Sequence, residues 1–277
     1  MQFFALDDDE SILAQEALRH KNYLCPECLH PVRVRGGPHV REHFYHLRSN
    51  RKCTQHKKSL IHLAVQNYLL EILPQGEVVL ENPFSSIGRI ADVHWKTKNI
   101  VFEVQYSSIS LKEAEERCRD YQKLGIKLIW ILHSKQFNKK KLNAAESFLR
   151  SHTNCYFTNM NALGKGIFYD QFEINRRGIR LFKGTSLSLD LRNPQEPKAV
   201  FKEKEAPLQV KERIDKWPLY FPGDLTSHFL RGQNFTSLLS IERRFSLVEK
   251  KNAFSLIAML QNIYKTLFNI LLEKASH

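Results

Sequence analysis

A chain of 277 residues, 42% hydrophobic and 26% charged, has the length to bury a sizeable core in one large domain or two to three small ones. No apolar run is long enough to span a bilayer, and five unevenly placed cysteines do not make a disulfide framework. The net charge of +13 is concentrated late: from Gln136 onward 23 basic residues face 13 acidic ones, whereas residues 59–135 carry 9 of each.

A basic surface attracts polyanions, and with no membrane or lipid signal the expected polyanion is nucleic acid. Lysine that merely keeps the chain soluble is the competing explanation. The opening MQFFALDDDE is acidic where a signal peptide would be positive, so a cytoplasmic protein without membrane insertion is expected.

Residues Ser11 to Leu18 are amphipathic and read as a short strand or a helical turn or two. They lead to Cys25-Pro26-Glu27-Cys28, a knuckle whose tight turn brings two thiolates onto one zinc ion. A hairpin follows from Pro31 to Arg35, turning at Gly36-Gly37, and then His43-Phe44-Tyr45-His46, Cys53 and His56. Cys25 and Cys28 with two of His43, His46 and Cys53 would complete a tetrahedral structural zinc site. His-x-x-His is tighter than usual for such sites, so Cys53 can replace one histidine; surface or packing histidines are the plainer alternative. A thioredoxin-like redox pair is disfavoured because no βαβ pattern surrounds it. Residues 1–56 therefore read as a small zinc-finger-like domain, in which metal would offset a shortage of large apolar side chains.

From Lys57 to Leu73 the apolar positions recur at helical spacing and stop before Pro74. Three strands are expected next, at Glu77–Glu81, Arg89–Trp95 and Ile100–Tyr106, the last two joined by the turn-like Lys96-Thr97-Lys98-Asn99. Alternation puts Glu103 and Gln105 on one face and Phe102, Val104 and Tyr106 on the other. Asp92, flanked by Ala91 and Val93, is an acid where a core residue is more usual. Two carboxylates from adjacent strands facing one way form a hard oxygen site for Mg²⁺ or Mn²⁺; a structural salt bridge with Arg89 or Arg117 is the alternative. Ser110 with Glu113 makes a capping box for a helix ending at Gly125, and Lys127–Leu132 reads as a buried strand.

Past this core a helix is expected over Lys140–Arg150 and a short strand at Cys155-Tyr156-Phe157. A hairpin of Gly166–Ile174 and Gly178–Phe182 should turn at Asn175-Arg176-Arg177-Gly178. Five prolines among many charges mark residues 192–224 as a linker or extended arm. The last fifty or so residues look helical, with a stripe of Leu256, Leu260, Ile263, Leu267, Phe268 and Leu271. The expected divisions are 1–56, 57–160, 161–191, 192–224 and 225–277.

Helix, three strands, helix and strand, with Asp92 on the second strand and Glu103-x-Gln105 on the third, resembles the PD-(D/E)xK nuclease core. More narrowly, Ala5 to about Leu132 resembles the CoiA-like competence proteins, where a Cys-x-x-Cys and His-Phe-x-His finger precedes Arg-x-Ala-Asp-Val and Glu-x-Gln-x-Ser. This chain reads Arg89-Ile90-Ala91-Asp92-Val93 and Glu103-Val104-Gln105-Tyr106-Ser107-Ser108, then Arg117 and Tyr121 in Arg-x3-Tyr spacing. The resemblance implies an α/β fold of the α+β kind: a restriction-endonuclease-like αβββαβ core, preceded by the zinc-finger-like domain and followed by a mostly helical region. It implies metal-dependent cleavage of DNA, single-stranded DNA included, during natural transformation, beside recombination or competence proteins. By the same resemblance Asp92 and Glu103 hold Mg²⁺ or Mn²⁺, Gln105, Arg117 and Tyr121 assist catalysis, and Arg89, Ser107 and Ser108 meet substrate.

Two residues depart from the nuclease pattern. Gln105 stands where lysine is usual, and it can hydrogen-bond a water but cannot act as a base. In Lys58-Ser59-Leu60-Ile61-His62, Lys58 takes the Glu position of the family's Glu-Ser-x-x-His. Both favour a rival reading, a catalytically weak or inactive DNA-binding or scaffold protein of the same fold. A zinc protein working through protein contacts is a third. His62 and His94 read as packing or surface residues without a catalytic role.

Overall fold

Short β-rich runs separated by turns fold the N-terminal segment into a five-stranded antiparallel sheet. In the computed structural model its strands are β1 (Phe4–Asp7), β2 (Glu10–Leu13), β3 (Tyr23–Leu24), β4 (Pro31–Gly37) and β5 (Val40–His46), in the order β2-β1-β3-β4-β5. The structure describes residues 1–196 and 206–248, apart from Asp9, His39, Ser49, Arg51, Lys52, Thr54, His56 and Lys57, together with Met259, Leu260 and Ile263. The amphipathic stretch after Glu10 is thus a strand followed by a turn. The sheet's apolar core is small, with Tyr23, Val32, Val34 and Phe44 as its larger members and Tyr23 set edge-on to Phe44. So small a core needs a further staple.

The second layer follows the expected order. Helix α1 (Leu60–Ile72) is capped by Ser59, whose hydroxyl accepts the His62 N–H, and it stops before Pro74. Strands β6 (Val78–Phe84), β7 (Arg89–Trp95) and β8 (Ile100–Gln105) form an antiparallel meander; β6 runs three residues past the Glu81 expected as its end. Helix α2 (Leu111–Lys123) begins at Ser110, which caps the Glu113 N–H, and Gly125 at φ +66 supplies the left-handed residue that ends it. Strand β9 (Lys127–His133) then pairs parallel to β8.

The same sheet continues. Helix α3 (Ala144–His152) starts later than its periodicity suggests, because Lys141 is drawn into a β-bridge with Ile179 and Asn143 caps the helix. Strand β10 (Asn154–Thr158) lies parallel to β9. The hairpin β11 (Phe168–Arg176) and β12 (Ile179–Ser188) then completes seven strands in the order β12-β11-β10-β9-β8-β7-β6. Its two-residue turn places Arg177 and Gly178 at positive φ, the signature of a type I′ turn.

The stretch expected as a linker differs most. Its described residues 206–224 carry helix α4 (Leu208–Lys216), and Trp217, Leu219 and Phe221 are buried against the sheet. The two terminal guanidinium nitrogens of Arg213, Nη1 and Nη2, clasp Asp170 of β11, both side chains being buried. Helix α5 (Leu225–Leu230) follows, and residues 236–248 are helical. Of the C-terminal stripe, Leu260 and Ile263 are helical and exposed; Leu256, Leu267, Phe268 and Leu271 lie outside the described residues. Among the described residues no helix is long and apolar enough to cross a membrane.

Candidate functional site

Two clusters of reactive side chains converge near the start of α1. The first is thiol-rich. Cys25 and Cys28 flank the turn after β3, His46 closes β5 and Cys53 follows it; their ligand atoms all lie within 4.8 Å of one another. Cys25 Sγ is 3.8 Å from Cys53 Sγ, and His46 Nε2 is 3.3 Å from Cys28 Sγ and 3.6 Å from Cys53 Sγ. A tetrahedral zinc with bonds of about 2.3 Å to sulfur and 2.05 Å to nitrogen sets its ligands about 3.8 Å apart for S–S and about 3.6 Å for S–N. These residues fit that ion. Burial pushes the Cys25 thiol up, whereas at Cys28 donors led by the His30 backbone outweigh burial and lower the pKa, favouring the thiolate a metal takes.

Of the five sequence candidates, four come together and His43 does not. Three residues apart on one strand, His43 and His46 point to opposite faces, so only one can enter the cluster. The His43 ring instead accepts a hydrogen bond from Arg35 Nε at 3.1 Å. Strand parity was the signal that separates them.

The second cluster is a row of carboxylates. The β7–β8 ladder pairs Trp95 with Ile100, His94 with Val101 and Val93 with Phe102; Asp92 and Glu103 are the next positions along, where the ladder opens. Instead of a backbone bond, Asp92 Oδ2 accepts the Val104 N–H at 2.9 Å. On the other side Glu81 of β6 faces Asp92, between the Leu80–Val93 and Asn82–Ala91 pairs. All three acids are buried.

Donors reach the acids from α1, from α2 and from Lys58, which Asp92 shares with Glu81. Asp92 Oδ1 receives Lys58 Nζ at 2.9 Å, His62 Nε2 at 3.0 Å and Gln66 Nε2 at 3.3 Å, the last two projecting one turn apart from α1. Burial alone would raise the Asp92 pKa, but His62, Lys58 and the Val104 N–H hold it far below the ordinary carboxylate range. Burial lowers the His62 pKa, so the ring is neutral near pH 7 and donates through Nε2. Glu103 accepts Arg117 Nη1 at 2.5 Å and the Tyr121 hydroxyl at 2.6 Å. Burial, helped by the neighbouring Asp92 charge, still keeps its pKa raised.

Arg117 and Tyr121, four residues apart on α2, therefore share the face that covers Glu103. Gln105 Nε2 donates to the Ser107 carbonyl at 2.7 Å, and its Oε1 makes no hydrogen bond among the described residues. Arg89 is held by Asp120 at 3.0 Å and Glu113 at 2.9 Å, while Ser107 and Ser108 are exposed beside the end of β8. Gln66 escaped sequence reasoning, and His62, read there as a packing or surface residue, is buried with its Nε2 on Asp92. Their i, i+4 spacing on a helix just before the strands was the available clue.

The comparisons with known proteins agree with this layout. The family model described as the competence protein CoiA N-terminal domain matches residues 8–56, and the one described as the competence protein CoiA nuclease-like domain matches residues 56–176. No curated protein and no solved structure matches the chain.

Proposed function

Because the chain belongs to the CoiA-like family of competence proteins and carries its nuclease-like domain, we propose that it is a metal-dependent nuclease that processes DNA during natural transformation. The observation that carries this reading is the pair Asp92 and Glu103, both buried and adjacent at the point where the β7–β8 ladder opens. Lys58 bridges Glu81 and Asp92, and Arg117 is shared between Glu103 and Glu113, so the acids of this row are already held by cations from outside the sheet.

Asp92 and Glu103 would hold Mg²⁺ or Mn²⁺, which activates water and offsets charge on the phosphate when bound. Arg117 and Tyr121 orient the Glu103 carboxylate from α2. Gln105, anchored on Ser107, offers its Oε1 to position a water but supplies neither base nor charge. Ser107 and Ser108 stand exposed where a strand of DNA would pass. The Cys25, Cys28, His46 and Cys53 cluster would hold a structural zinc beneath the small sheet, as suits a cytoplasmic, reducing setting. Recombination or competence proteins are the proposed partners.

A specific observation favours the second reading, a DNA-binding protein with weak or no cleavage: Lys58 already neutralises Asp92, and Gln105 replaces the usual lysine. The test incubates zinc-replete protein with single- and double-stranded DNA and Mg²⁺ or Mn²⁺, beside Asp92→Ala and Glu103→Ala. Cleavage by the wild type alone supports the nuclease. Binding without cleavage under any metal supports the scaffold, and equal cleavage by the variants refutes the site.

A further inference from the structure

Lys58 lies between the thiol cluster and the Ser59 cap of α1, and its side chain turns inward to 7% exposure. Its Nζ is 3.0 Å from Glu81 Oε1 and 2.9 Å from Asp92 Oδ1, so one ammonium bridges acids on two strands. Burying an ammonium costs several kcal/mol unless its partners are well placed. Here their placement is itself constrained. Glu81 sits at φ +50, an unusual backbone for a side-chain-bearing residue, and its second oxygen is fixed by the Phe3 N–H at 2.9 Å and the Phe4 N–H at 3.3 Å. His62 Nε2 lies against the same Asp92 oxygen.

Two carboxylates around one buried positive charge, with an imidazole on the same Asp92 oxygen whose Nε2 would give up its proton on binding, are a ligand set that otherwise collects a divalent ion. We propose that Lys58 is a resident cation that fills a divalent-metal position between Glu81 and Asp92, confining exchangeable metal in this row to the side shared by Asp92 and Glu103. The first half stands on the Lys58 contacts alone; the second rests on the nuclease reading above. It also gives the lysine at the family's Glu position a physical task. Lys58 locks Asp92 in place without a metal, and does so whether or not an ion binds on the far side.

The test is Mn²⁺ titration of the full-length, zinc-loaded protein by calorimetry, with thermal unfolding in parallel. Lys58→Glu sets a third carboxylate beside Glu81, Asp92 and His62. It is expected to bind one more Mn²⁺ than the wild type, or to bind Mn²⁺ at least about tenfold tighter, and to gain more thermal stability from it. A folded Lys58→Glu protein that takes up Mn²⁺ no more and no tighter than the wild type overturns the proposal. Should Lys58→Glu fail to fold, Lys58→Met keeps the apolar stem and leaves the two acids uncompensated. Mn²⁺ must then raise its unfolding temperature more than that of the wild type, and an equal response overturns the proposal too. The two readings separate cleanly. A wild type that cuts no DNA while Lys58→Glu gains an ion ends the nuclease and leaves the resident cation standing; cleavage without that gain does the reverse.

Discussion

Arg117 Nη1 lies 2.5 Å from Glu103 Oε2 while its Nε meets Glu113 Oε1 at 2.7 Å, so one guanidinium ties the buried end of β8 to the first turns of α2. Glu103 is 1% exposed, and without Arg117 its charge would keep only the Tyr121 hydroxyl. Arg117→Ala should therefore cost about 3 kcal/mol in urea denaturation, the usual order for breaking a buried pair on one side. Arg117→Lys should recover only part of this, because an ammonium cannot reproduce the fork that reaches both carboxylates.

The thiol cluster makes a compositional prediction. Protein prepared without chelator should carry one zinc per chain by elemental mass spectrometry, and Cys53→Ser should lose it and unfold at lower temperature. His43→Ala should retain full zinc, since His43 points away from the cluster toward Arg35. Zinc lost from His43→Ala and kept in His46→Ala would contradict the ligand set.

Asp224 predicts a pH dependence. It caps α5 through the Ser227 N–H and also accepts from Phe221 N and the Tyr156 hydroxyl, but burial and the nearby Asp170 push its pKa up to about 6. The folded carboxyl thus holds a proton that the unfolded chain has already released between about pH 4 and 6. Stability from this group is fully present below pH 4 and falls as pH rises to 6, by at most about 3 kcal/mol. Asp224→Asn should flatten the decline in that window, at a pH-independent cost from the altered Phe221 contact. Denaturation of both proteins from pH 4 to 7 checks it.

Arg213 anchors α4 by its paired contact with Asp170 and lies over the Trp217 ring, 4.4 Å from the centroid. Arg213→Met should leave Asp170 with the Leu225 and Gln171 N–H groups as its remaining donors. The expected loss is about 3–5 kcal/mol. Hydrogen exchange should quicken first in residues 206–230, before β8 and β9.

Local signals account for what was legible. Ser110 with Glu113, the stop before Pro74, Gly125 at positive φ and the β-rich runs around Asp92 and Glu103 each act within a few residues, so the αβββαβ order could be read directly. What escaped depends on contacts between distant residues. Prolines around α4 suggested an extended arm, yet Arg213 finds its partner 43 positions away on β11. Lys58 lies 34 positions before Asp92, and no spacing rule says that its side chain will fold onto that acid rather than into solvent. The exclusion of His43 was within reach, since alternation along β5 permits only one of the two histidines to face Cys53. The pairing of Arg89 with Asp120 and Glu113 likewise depends on how α2 docks, which no local pattern reveals.

The most direct measurement is the single-turnover rate of DNA cleavage by zinc-replete protein at saturating Mn²⁺, for wild type beside the near-isosteric Asp92→Asn and Glu103→Gln. Wild type should cut, and each variant should cut at least about a hundredfold more slowly, a loss of roughly 3 kcal/mol in transition-state stabilisation. Cleavage by either variant at the wild-type rate, or none by the wild type while it still binds DNA, would contradict the assignment of Asp92 and Glu103 as the pair that holds the ion.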